Sequence, residues 1–182
     1  MNVPLRIIFA GIPDAGKSTL IGRLLLATNS VYEDQHQNDL SYYTDGLQSE
    51  QEEGRTIDVA YRTIHLESGY RCILIDTPGH SELVSNFVSG ASYADLMFYL
   101  IDSTRPRQRS IHLQIAESMN LPIVNIATKV TQGIGSLPVN FAIDSVTGTG
   151  VDELLKSMEV WARSSVAQRK NLRINQNGGY EK

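Results

Sequence analysis

Short apolar runs punctuate this chain at Leu5–Ala10, Thr56–Leu66, Arg71–Asp76, Asp95–Asp102, Pro122–Thr128 and Val139–Ile143. Each is brief, rich in β-branched and aromatic residues, and reads as a strand. Helix-like stretches follow Gly16, Gly79, Arg107 and Gly150. In the last of them Val151, Leu154, Leu155 and Met158 fall at i, i+3, i+4 and i+7, a stripe suited to packing on a sheet. Asp152 and Glu153 stand in its first turn, where the helix dipole favours acid. The alternation predicts an α/β fold: a mostly parallel six-stranded sheet with helices on both faces. Only Glu67-Ser68-Gly69-Tyr70 separates the second and third strands, too short a link for a parallel crossover. A hairpin follows, which puts one antiparallel strand at the sheet edge.

Two connections stand out. Asn29–Gly54 is polar, acidic and long, the usual form of a functional or mobile segment. The other, Val130–Pro138, is short for a parallel crossover, so either it is a bare loop with one helical turn or the sixth strand is not parallel to the fifth. With 182 residues, 41% of them hydrophobic, one sizeable core is expected. Residues 1–166 form that domain, and 167–182 hold too few apolar residues to bury and read as a flexible tail.

A net charge of −4 gives no nucleic-acid or membrane footprint. Arg105, Arg107 and Arg109 read as a solvated loop. Cys72, the single cysteine, sits in the run Cys72-Ile-Leu-Ile75 and reads as a buried thiol in a reducing compartment. No apolar run is long enough to span a membrane, and a cytoplasmic protein is expected.

The chemistry concentrates in Gly11-Ile-Pro-Asp-Ala-Gly-Lys-Ser18, between the first strand and a helix-like run. In G-x-x-x-x-G-K-[ST] the glycines let the backbone wrap a polyphosphate, and successive N–H groups at a helix N-terminus point at its oxygens. Lys17 adds a mobile positive charge and Ser18 a hydroxyl for Mg²⁺. The segment reads as the phosphate loop of a P-loop NTPase, with an ordinary Gly-rich turn as the other reading. Asp76-Thr-Pro-Gly-His80 closes the third strand, on the rim where parallel sheets bind ligands. Asp76 can hold Mg²⁺ directly or through water, and the Gly79 N–H can approach a terminal phosphate. Upstream, Thr56 in Glu53-Gly-Arg-Thr-Ile-Asp58 could complete a metal shell when a γ-phosphate is present; a plain strand start is the other reading.

These stretches, with Val31-Tyr-Glu-Asp-Gln35, Asp45-Gly-Leu-Gln48, Asp58-Val-Ala-Tyr-Arg62 and Gly90-Ala-Ser92, resemble the GTPase domain of the bacterial sulfate adenylyltransferase large subunit, within the elongation factor Tu-like GTPases. The resemblance implies a Mg²⁺-dependent GTPase acting as a regulatory or energy-coupling subunit for a sulfate adenylyltransferase small subunit-like partner. It implies that Asp14, Ala15, Gly16, Lys17, Ser18, Thr19 and Gly79 hold phosphates, with Lys17 on the β- and γ-phosphates. Ser18 and Thr56 would ligate Mg²⁺, Asp76 would support it, and His80 would position the attacking water. His36, His65 and His112 read as surface or core residues.

The base side departs from the family. Thr128-Lys-Val-Thr131 stands where the family has Asn-Lys-x-Asp, so the carboxylate that reads guanine is missing. Charge-assisted hydrogen bonds of that kind are worth about 1.5–3 kcal/mol each. Thr128 could keep a hydroxyl contact, and the Lys129 stem could cover the base. In place of Ser-Ala-x-x-Gly the chain has Asp144-Ser-Val-Thr-Gly148, so Asp144 could supply the lost carboxylate beside Ser145. The alternative to an enzyme is therefore a degenerate binding or scaffold module, with little hydrolysis or relaxed base choice. A P-loop kinase fits less well, because the hairpin and Asp76-Thr-Pro-Gly-His80 do not belong to that pattern.

Overall fold

The computed structural model describes residues 3–30, 59–78, 84–105, 110–130 and 137–177, with side chains described up to residue 165. Among them are strands β1 (Leu5–Gly11), β2 (Ala60–His65), β3 (Arg71–Asp76), β4 (Leu96–Asp102), β5 (Ile123–Thr128) and β6 (Phe141–Ile143). The helices are α1 (Lys17–Ala27), α2 (Val84–Ala91), α3 (Ile111–Ser118) and α4 (Val151–Asn177). The sheet order is β2-β3-β1-β4-β5-β6, parallel throughout except for β2, which pairs antiparallel with β3 at the edge. The expected α/β class, strand number and hairpin are all present.

Alternation along β1 builds the two layers. Leu5, Ile7 and Phe9 face one cluster, which includes Leu20, Ile21 and Leu24 of α1 and Leu154 and Met158 of α4. Ile8 and Ala10 face the other, with Phe87 and Ala91 of α2 and Ala116 of α3. The period of two in a strand sends successive side chains to opposite faces, so both faces of β1 are buried and its sequence is a continuous apolar run. Phe9 meets Phe98 edge-on at 5.3 Å between ring centroids, and Phe98 meets Trp161 at 5.9 Å. Truncating a buried aromatic of this sort costs about 3–5 kcal/mol. Cys72 lies in the first cluster, where burial and then the charge of Glu159 push its thiol up to about 12.

The last strand settles an open question. β6 runs parallel to β5, with Ile126 opposite Phe141 and Thr128 opposite Ile143, so the short link is a parallel connection. Residues 131–136 of that link lie outside the described residues. The strand begins at Phe141 rather than Val139, because Asn140 turns its side chain to the ladder: Asn125 N donates to Asn140 Oδ1 at 2.9 Å. Gly150 then starts α4 with φ +79°, and a Cβ there would lie 2.3 Å from the Ala142 carbonyl oxygen. Only glycine fits that position. The stripe predicted from Val151 to Met158 packs as expected, and burial continues to Ala162. Helical backbone extends to Asn177, past residue 166; straight-chain residues such as Arg, Lys and Gln favour helix without needing burial.

His112, read from sequence as a surface or core residue, is a core residue. Ser110 caps α3 by accepting from His112 N, and its own N–H donates to the Tyr99 hydroxyl at 2.9 Å. The His112 ring lies 4.5 Å from that of Phe87, with Nδ1 2.5 Å from Ser110 Oγ. Burial first, and then the charge of Lys17, depress its pKa to about 4. The unfolded chain therefore takes up a proton between pH 6.5 and 4 that the folded chain refuses, and stability is lost as pH falls through that window. Urea denaturation at pH 7 and pH 4 should show wild type losing about 3 kcal/mol more than His112→Phe. Equal losses would mean that His112 is not held neutral.

Candidate functional site

The site forms where β1 gives way to α1. Residues 12–16 turn tightly, with Ala15 N donating to the Ile12 carbonyl at 3.2 Å. Asp14 (φ +60°) and Gly16 (φ +86°) adopt left-handed backbone. Glycine takes this conformation without steric cost and Asp tolerates it better than most residues, so the motif residues suit the turn. The loop leads straight into Lys17, Ser18 and Thr19, the first turn of α1. A helix N-terminus of this form suits an anion.

Lys17 is only 7% exposed, and its ammonium donates to the Ile12 carbonyl at 3.1 Å and the Gly11 carbonyl at 3.4 Å. Burial pushes its pKa below the usual lysine value, against the charges of Asp76 and Asp14, which pull it upward. Ser18 Oγ donates to Asp76 Oδ2 at 2.7 Å. Two residues predicted separately as metal ligands thus stand side by side, although 58 positions apart in sequence. A hydroxyl and a carboxylate are hard oxygen donors, and few protein ligands beside phosphate and water is the manner in which Mg²⁺ is bound, so the pair fits that ion. Thr77 Oγ1 donates to the Phe9 carbonyl at 2.7 Å and fixes the chain just after Asp76. Gly79, His80 and Thr56 lie outside the described residues.

On the base side, the Thr128 hydroxyl does not point outward. It donates to the Ala15 carbonyl at 2.8 Å and so ties the end of β5 to the phosphate loop. Lys129, in left-handed backbone at φ +59°, donates from Nζ to Asp102 Oδ2 at 2.8 Å. Asp144 Oδ1 accepts from Val146 N and Thr147 N, both at 2.9 Å, and shapes its own turn. That oxygen is engaged locally. The Ser145 carbonyl accepts from Arg23 Nε at 2.5 Å, and the Val146 carbonyl accepts from Arg23 Nη2.

Arg23, Asp102 and Arg105 also stand on this rim. The sequence pattern gives Arg105 only as a solvated loop and does not single out Arg23 or Asp102, although the carboxyl end of a parallel strand lies on the ligand rim.

Lys17 is a buried lysine whose pKa is lowered by desolvation. The unfolded chain binds its proton more readily, so the free protein should gain stability as pH rises toward the ordinary lysine value. Lys17→Met should remove that slope. Thermal unfolding over the alkaline range checks this, and an unchanged slope in Lys17→Met would contradict the account.

Comparison with known proteins agrees with this geometry. Residues 4–161 match the family described as the elongation factor Tu GTP binding domain. The bifunctional enzyme NodQ of Rhizobium sp. (strain BR816) is 44% identical over 140 residues, which cover 68% of this chain and 22% of that protein. Sulfate adenylyltransferase subunit 1 of Rhizobium rhizogenes (strain K84 / ATCC BAA-868) is 48% identical over 115 residues, 55% of this chain and 23% of that one. The chain thus spans under a quarter of the length of these relatives. Among solved structures, the bacterial selenocysteine-specific elongation factor EF-Sec superposes with a TM-score of 0.72 at 24% identity, covering 90% of this chain and 29% of that one. With a matching family model over most of its length and the phosphate loop in place, the chain belongs to the elongation factor Tu GTP-binding domain family of P-loop GTPases.

Proposed function

We propose that the chain binds GTP with Mg²⁺ and hydrolyses it, as a regulatory or energy-coupling unit for a sulfate adenylyltransferase-like partner in the cytoplasm. The observation that carries the reading is the 2.7 Å contact between Ser18 and Asp76 beside the buried Lys17. Residues 1–166 act as the nucleotide domain and 167–182 as a tail. No helix among the described residues is long and apolar enough to cross a membrane. The partner follows from what the relatives are called and from the shared stretches of sequence.

In this reading the backbone from Asp14 to Thr19 wraps the phosphates, and the Lys17 ammonium leaves its two carbonyls for the β- and γ-phosphate oxygens. Ser18, Asp76 and Thr56 would hold Mg²⁺, which neutralises charge on the transferring phosphoryl group. The Gly79 N–H contacts the γ-phosphate. His80 orients the water that attacks it in line. Thr128, Lys129, Asp144 and Ser145 flank the base. Placement and charge stabilisation account for the chemistry, and no covalent intermediate with the chain is needed.

One observation favours a second reading, a base-tolerant nucleotide module. With the Thr128 hydroxyl donated to Ala15 and the first Asp144 oxygen engaged in its own turn, guanine finds weaker readers than the family provides. Titration with GTP, GDP and ATP, each with Mg²⁺, separates the two: guanine preference supports the first reading and equal affinities the second. Lys17→Ala should abolish a slow GTP turnover, and His80→Ala should slow it by about a hundredfold. Coincident wild-type and His80→Ala rates would reject the assigned role of His80.

A further inference from the structure

Asp102 ends β4 with its side chain wholly buried, yet it stays ionised because five donors surround it. Thr104 donates to Oδ1 from its backbone N at 2.9 Å and its hydroxyl at 2.6 Å. Lys129 Nζ donates to Oδ2 at 2.8 Å, and Arg105 donates to the same oxygen from Nη2 at 3.0 Å and Nε at 3.2 Å. Burial alone would raise the carboxyl pKa; these bonds together outweigh it and hold it far below the usual range. The second Nη2 proton of Arg105 goes elsewhere, to the Pro13 carbonyl of the phosphate loop at 3.1 Å.

We propose that Arg105 is a positioning residue of the nucleotide site, a clamp that fixes the phosphate loop to the base-side lysine through Asp102. The inference rests on the nucleotide-binding reading. A nucleotide is held at two ends, by the loop from Gly11 to Ser18 and by the segment Thr128–Lys129, and these come from different strands. One guanidinium nitrogen spans the gap, bonded on one side to the loop and on the other to the carboxylate that holds Lys129. Fixing that separation in advance removes ordering cost from binding. Arg suits the task because its planar fork keeps two N–H groups on a carboxylate while a third bond leaves in another direction. Lys has no such fork. The γ-phosphate plays no part, so the clamp should act alike on diphosphate and triphosphate.

The test is stopped-flow release of fluorescent GDP and of a fluorescent non-hydrolysable GTP analogue from the full chain, with Mg²⁺, for wild type, Arg105→Ala and Arg105→Lys. Arg105→Ala should speed release of both nucleotides by about fivefold, the loss of one modest hydrogen bond. Arg105→Lys should also release faster than wild type, because charge without the fork does not bridge. Thermal unfolding of each variant accompanies the kinetics, and Arg105→Lys carries the test if Arg105→Ala does not fold. Release from Arg105→Lys equal to wild type would show that charge on Asp102 is all that matters and overturn the clamp. So would faster release of only one of the two nucleotides. Wild type that binds neither nucleotide would instead remove the reading on which the clamp rests.

Discussion

Parallel pairing of β1 with both β3 and β4 is the constraint on which the site depends. With Phe9 opposite Asp76 and Gly11 opposite Leu100, the three strands must end on one edge. β5 extends the rule, placing Thr128 opposite Asp102. Residues separated by dozens of positions thus become neighbours because hydrogen-bonded register leaves them no other place. The sheet can hold this register only because both its faces are covered: a one-residue slip in β1 would exchange Leu5, Ile7 and Phe9 with Ile8 and Ala10, and each set fits its own helices.

The rim itself is held by polar contacts that cross between elements. Ser18 meets Asp76, Thr77 meets Phe9, Thr128 meets Ala15, and Arg105 meets Pro13. Such groups would be costly to bury alone, and each is matched with a donor or acceptor across the edge. The arrangement gives the phosphate loop supports from three strands. The lysine buried in that loop is held against a desolvation cost that lowers its pKa, partly offset by the charges of Asp76 and Asp14.

The departure from the family at Thr128 becomes intelligible in these terms. The residue at the end of β5 braces the phosphate loop, and a threonine hydroxyl does so by donating to the Ala15 carbonyl. Two carboxylates of this region likewise take structural bonds, Asp144 through Oδ1 in its own turn and Asp102 with Lys129 and Arg105.

Local order carried far in reading this chain. The phosphate loop, the hairpin implied by Glu67–Tyr70 and the α4 stripe are short-range patterns, and chain stereochemistry alone ties each to one conformation. Asp76 was legible for a similar reason, since a strand followed by Thr-Pro-Gly must end at a rim. Arg105 and Asp102 were not. Their roles come from contacts with Pro13 and Lys129, residues of other strands and loops, and nothing in the few residues around them distinguishes a clamp from a solvated loop. Nor did the length of the link after β5 say whether β6 runs parallel. The sequence by itself determined which segments are strands and helices and that one loop is built for a polyphosphate, because those follow from periodicity and backbone sterics. Tertiary structure decided which distant side chains share a proton or a charge, because only the register of the assembled sheet brings them within hydrogen-bond reach.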